Sequence, residues 1–285
     1  MKFFLKKYIK PSLKLIGLYG PMYRLLFTLL NIRTRLTNMF YKTFYKTAPI
    51  LLYHRISTTF ADPLMLCVTP SCFENHLQFL KKNYNIIPLS ELSKLLTTGA
   101  LKGNEVAVTF DDGYRDNLTN ALPLLEKYNI PATIFITTGS LGKKATFEWD
   151  MKYEESDRAV FLSEEEIRLL SKHPLIEIGA HTETHPHLAN ISPEKQKIEI
   201  LGSSFKLEQI IGEKVRSFAY PFGSIYDFND VSKKIVEQAG FDFGYSNTQS
   251  LATMTSDYFC IPRINIRECT VFVLSKKIIC RTGGF

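Results

Sequence analysis

The sequence predicts an α/β chain whose strands run parallel in a barrel. Short apolar runs, among them Val106-Ala107-Val108-Thr109-Phe110 and Ala132-Thr133-Ile134-Phe135-Ile136, alternate with stretches of helical periodicity, the pattern of strand–helix units. Two runs, 106–110 and 176–180, stop at polar clusters, Asp111-Asp112-Gly113 and His181 to His187. Parallel α/β folds place their chemistry at such C-terminal strand ends. At 285 residues the chain has room for one large domain,.

The elements follow in order. Residues 1–48 carry a mixture of basic and apolar side chains, and the eleven Lys and Arg before Asp62 face no acid. The uncharged runs 15–23 and 25–32 are too short to span a bilayer, and Gly20-Pro21 would break one helix,. Arg24 interrupts the apolar region of any cleavable leader,. The segment reads as a basic amphipathic stretch lying on an anionic membrane surface, or as a pair of helices over the closed end of the barrel. The expected location is cytoplasmic or peripheral to the membrane. The rest of the chain holds 24 basic against 28 acidic residues, so the counts point to no nucleic-acid partner. Five cysteines without a pairing pattern read as small core hydrophobes,.

From residue 49 the folded domain begins, and Ile50 to Tyr53 is its first strand, ending at His54. A helix follows from Ser71 to Tyr84, with Phe73, Leu77 and Leu80 on one face,. Ile86-Ile87 is a short strand, and Ser90 is expected to cap a helix through Leu96,. After strand 106–110 come helix 117–128 and strand 132–136. The loop 139–162 breaks the alternation and holds the only tryptophan, Trp149, which either stacks on a bound ligand or plugs the loop's own small core,. Ser163 and Glu166 form a capping box for the next helix,. Strand 176–180, a helix from Ser192 to Ile211, strand 217–220, helix 231–239 ended by Gly240, and strands 243–245 and 261–266 complete the domain, with a short helix 271–279 as the tail,.

Adjacent Asp111 and Asp112 repel each other, so the pair makes sense around a cation or with one shared proton; an Asp-Asp-Gly turn capping the following helix is the plainer reading. His181 and His185 change the balance. Two imidazoles and one carboxylate make a three-ligand set with positions open for water and substrate.

Thr109-Phe110-Asp111-Asp112-Gly113-Tyr114, His181-Thr-x-x-His185 and Phe218-Ala219-Tyr220-Pro221-Phe222-Gly223, in that order, resemble the polysaccharide deacetylases with a NodB-homology domain, carbohydrate esterase family 4, over about residues 49–266. The resemblance implies a distorted (β/α) barrel of about seven strands and metal-dependent removal of N-acetyl, or sometimes O-acetyl, groups from a sugar, polysaccharide or glycolipid. It implies Asp112, His181 and His185 as ligands of a divalent metal, zinc by default, with iron, cobalt, manganese and nickel also compatible. Asp111 would be the base, and the backbone N–H of Tyr220 the oxyanion donor. Many members carry an Arg where this chain has Ser217; Arg216 would point to the opposite face, which leaves Arg263 to orient Asp111,. No His follows His187, where many relatives keep a late His as general acid. That role falls to His54, matching the Tyr-His of the poly-N-acetylglucosamine deacetylases. Two rival functions are an O-acetyl esterase on the same site and a silent glycan-binding module; the latter has no need of a base beside a metal.

Overall fold

The computed structural model describes residues 46–58, 62, 64–144, 147, 149 and 159–280. Apart from 46–48, the basic N-terminal segment lies outside these residues, as do most of the 139–162 loop and the side chain of Cys280.

Seven parallel strands form the sheet, in the spatial order 264–265, 50–53, 105–110, 132–136, 176–180, 217–219 and 243–245. In chain order they are β1 (Ile50–Tyr53), β5 (Glu105–Phe110), β6 (Ala132–Ile136), β7 (Ile176–Ala180), β8 (Ser217–Ala219), β9 (Phe243–Tyr245) and β10 (Ile264–Asn265). One segment joins the two edges: Ile261 bridges to Tyr245 of β9, while Ile264 and Asn265 pair with Leu51 and Leu52 of β1. The sheet therefore curls on itself as a small distorted barrel, and the expected single strand 261–266 is shared between its two edges. Two short strands, β2 (Arg55–Ile56) and β3 (Cys67–Val68), pair apart from the barrel, and β4 (Asn85–Ile86) adds to β5.

Every residue of β1, β5 and β6 is buried, as expected for parallel strands covered on both faces. Period-two alternation divides them between two cores. Leu51, Tyr53, Val106, Val108, Phe110, Ile134 and Ile136 meet the surrounding helices. Ile50, Ala107 and Phe135 point inward and pack with Leu89, Leu92 and Leu96 of the helix that plugs the barrel floor. Gly179 of β7 is small for this reason: a Cβ there would lie 2.4 Å from the Phe135 ring,. The same parity carries the inward face from Ala107 and Thr109 to Asp111, from Glu177 and Gly179 to His181, and from Ile50 and Leu52 to His54.

The helices are α1 (Pro70–Asn83), α2 (Leu89–Thr98), α3 (Leu122–Tyr128), α4 (Glu164–Ser171), α5 (Pro193–Ile211), α6 (Asp230–Gln238) and α7 (Val271–Cys280). The Ser163–Glu166 capping box is present, and Ser192 caps α5,. Two details depart from expectation. Helix 117–128 starts as a π-helical turn over Asn117–Ala121, because Pro123 has no N–H to continue an α-helical ladder. Ser90 does not cap α2, which starts at Leu89; its amide and hydroxyl instead donate to the Glu177 carboxylate inside the barrel. Among the described residues, no helix is long and apolar enough to cross a membrane.

Candidate active site

Strand parity would send two adjacent side chains to opposite faces. Asp112 escapes this through a left-handed backbone (φ 73°), followed by Gly113 at φ 81°, so both carboxylates reach the barrel mouth. Thr182 (φ 64°), His185 (φ 61°) and Phe222 (φ 59°) share that conformation. Each such non-glycine residue stores on the order of 1–3 kcal/mol, and such strain gathers at functional sites.

His181 and His185 aim their Nε2 atoms at one oxygen, Asp112 Oδ1, at 3.5 and 3.3 Å. One ligand atom from each of the three residues lies within 4.8 Å of the others, and all three side chains are buried. The donor set fits a divalent ion: tetrahedral bonds of about 2.1 Å put neighbouring ligand atoms about 3.4 Å apart. His181 Nδ1 donates to the Ala219 carbonyl at 2.8 Å, which fixes the ring with Nε2 turned toward the ligand group. Phe147, Trp149 and Phe222 surround the His185 ring, at centroid distances of 4.9, 5.5 and 4.7 Å. Two adjacent buried carboxylates are costly to hold ionised, and a bound cation would offset their repulsion.

Arg263 is fully buried, and its guanidinium makes four hydrogen bonds. Nη1 and Nη2 donate to Asp111 Oδ1 and Oδ2, each at 2.7 Å; Nη1 also reaches Thr109 Oγ1 at 3.3 Å, and Nε donates to the Ser246 carbonyl at 3.2 Å. Burial pushes the Asp111 carboxyl up, but the charges of Arg263 and His181 and the Arg263 hydrogen bonds hold it below its ordinary value,. Burial likewise opposes ionisation of Asp112, and the hydrogen bonds from His181 and His185 overcome it. Arg216, by contrast, is exposed and pairs with Asp242.

His54, Asp111, Asp112, His181 and His185 all line one cavity of about 180 Å3. The His54 carbonyl accepts from Asn117 Nδ2 at 2.8 Å, and its ring Nδ1 is buried with no hydrogen-bond partner among the described residues. Burial lowers its basicity, and the two carboxylates partly offset that. Trp149 stacks on Phe147 at 4.6 Å, as expected of a loop with its own small core, and it also forms part of the cavity wall. His187 points away from the ligand group, with Nδ1 2.7 Å from Asp227 Oδ1 and its ring stacked on Phe222 at 3.7 Å.

The role expected of Tyr220 needs correction. Its amide donates to the Tyr245 carbonyl at 3.0 Å, because the β8–β9 ladder runs one residue further than β8 itself, and its hydroxyl is held by the Phe259 carbonyl. No donor is left there for an oxyanion. Two residues on, Phe222 lines the cavity, and its amide makes no hydrogen bond among the described residues. The motif contained Phe222, but only the turn geometry distinguishes the two amides.

The family model for polysaccharide deacetylases matches residues 98–244. The chain is 29% identical over 220 residues to YxkH of Bacillus subtilis, covering 76% of this chain and 71% of that protein. It is also 29% identical over 210 residues to a poly-beta-1,6-N-acetyl-D-glucosamine N-deacetylase of Staphylococcus aureus, covering 70% and 68%. The solved structure of the Streptococcus pyogenes deacetylase PplD, in complex with acetate, superposes with a TM-score of 0.68 at 25% identity, over 81% of this chain and 98% of that one.

Proposed function

The chain belongs to the polysaccharide deacetylase family, a family of hydrolases of carbon–nitrogen bonds other than peptide bonds, and from that premise we propose that it is a metal-dependent N-deacetylase of an N-acetylated glycan. The observation that carries the reading is the convergence of His181 and His185 on Asp112 beside an Arg263-bound Asp111 in one cavity. Asp112, His181 and His185 would hold the ion, with zinc the default for two imidazoles and a carboxylate. Bound there, a divalent ion supplies a Lewis acid for the acetyl carbonyl and a water of lowered pKa.

The remaining steps belong to the chain's own groups. Asp111, held ionised and oriented by Arg263, takes the proton of the attacking water. Negative charge developing on the carbonyl oxygen needs a backbone donor, and the Phe222 amide supplies it in place of Tyr220. His54, across the cavity, donates a proton to the departing amine. Phe147, Trp149 and Phe222 keep bulk water from the site and give the sugar an apolar wall to stack on.

The substrate of the Staphylococcus aureus relative supports a poly-N-acetylglucosamine chain as the first candidate. The test is acetate release by purified protein from β-1,6- and β-1,4-linked N-acetylglucosamine oligomers and from O-acetylated xylan. Release from the amide substrates supports the reading; release from the ester alone makes the protein an O-acetyl esterase.

A further inference from the structure

The loop bearing both imidazoles is gripped by a carboxylate that the reading above does not use. Glu199 sits on α5. Its Oε2 accepts hydrogen bonds from the amides of Glu183 and Thr184 at 2.9 and 2.8 Å, and its Oε1 accepts one from the Thr184 hydroxyl at 2.5 Å. These two amides lie between Thr182 and His185, the loop's two left-handed residues. The opposite side of the same peptide is also held: the Gly139 amide donates to the Glu183 carbonyl at 2.7 Å, and a Cβ on Gly139 would come within 2.5 Å of that oxygen. Inside the loop, the Thr182 hydroxyl accepts from the His185 amide at 3.1 Å. A β-branched residue does not settle into left-handed backbone unaided, so the conformation that turns His185 toward Asp112 depends on what holds residues 183 and 184.

We propose that Glu199 is a positioning residue for the metal site: its carboxylate fixes the 182–185 loop in the ion-binding conformation and thereby sets the affinity for the divalent ion. The proposal rests on the metal reading above. An ionised carboxylate accepting two amides and a hydroxyl is a charge-assisted cap, and Gln at 199 keeps the size while losing the charge and half of the acceptors. Partners of this kind, one layer behind the ligands, change metal affinity by about 10–100-fold.

The test uses the full chain, stripped of metal, and measures zinc affinity by competition with a chromogenic chelator together with melting of the metal-free protein. Glu199→Gln and Glu199→Ala are expected to weaken zinc binding by about 10–100-fold. Gln196→Ala serves as the control, because it removes bonds from the same helix to Ser232 and Ile191. It should lower the melting temperature and leave zinc affinity unchanged. Zinc affinity within twofold of wild type in both Glu199 variants overturns the proposal. An equal loss of affinity in Gln196→Ala overturns it too, since general loosening would then explain the effect. If the wild-type chain binds no divalent ion, the metal reading fails and this role fails with it.

Discussion

The guanidinium of Arg263 meets the carboxylate of Asp111 edge to edge, Nη1 on Oδ1 and Nη2 on Oδ2, both at 2.7 Å and both side chains buried. The two residues are 152 positions apart in sequence, and the pairing exists because 261–265 is shared between the two edges of the sheet. Removing one partner strands the other charge in the interior, at a cost of about 3–5 kcal/mol. Arg263→Met should therefore lower the unfolding free energy by about that much in urea titrations. Arg263→Lys keeps the charge but lacks the planar fork. It should retain metal while losing turnover, checked by elemental analysis beside steady-state kinetics.

His54→Ala should keep metal and fold. Turnover on N-acetyl substrates should fall by about 10²–10⁴, the usual weight of a general acid, and turnover on activated aryl acetates by much less, because an aryl leaving group departs without a proton. Equal losses on the two substrates would remove His54 from the mechanism.

His76 gives a pH dependence away from the metal site. It is fully buried; its Nε2 donates to the Cys269 carbonyl at 2.8 Å, and Tyr53 Oη donates to its Nδ1 at 3.2 Å. Only the neutral ring satisfies both bonds, and burial lowers its pKa. The unfolded chain binds a proton near pH 6.5 where the folded chain does not. Its contribution to stability is therefore complete above that pH and is lost as the pH falls below it, by up to about 1.4 kcal/mol per unit. The stability difference between wild type and His76→Gln should accordingly shrink between pH 7 and pH 5. A constant difference contradicts this.

The nine basic residues before Lys46, with no acid among them, lead to a fourth expectation. The full chain should sediment with anionic lipid vesicles in a salt-sensitive way, each basic residue near the surface adding about 1 kcal/mol. A chain starting at Lys46, which keeps the Ala48 bridge to Ala252, should not. Equal sedimentation of both would contradict the membrane-surface reading.

Parallel strands buried on both faces read as largely apolar runs, so β1, β5 and β6 were legible, and the polar residues after β5 and β7 marked the mouth. The Ser163–Glu166 box is local, and local chemistry is what short stretches encode. The roles of Ser90, Tyr220 and Glu199 were not legible. Ser90 has the look of a cap, but Glu177 reaches it across the barrel. The Tyr220 amide is claimed by a ladder residue 25 positions on. Glu199 carries no spacing signal at all; only the packing of α5 against the 182–185 loop gives it a partner.

The central claim is that Asp112, His181 and His185 hold the ion on which deacetylation by Asp111 depends. The most direct measurement is a zinc titration of metal-stripped protein, following bound metal and acetate release together, for wild type, Asp111→Asn and His185→Ala. The account predicts that wild-type activity rises with zinc and saturates at one ion per chain, that Asp111→Asn binds the same amount without activity, and that His185→Ala loses both. Full activity in the stripped wild-type protein, or undiminished zinc binding in His185→Ala, would contradict it.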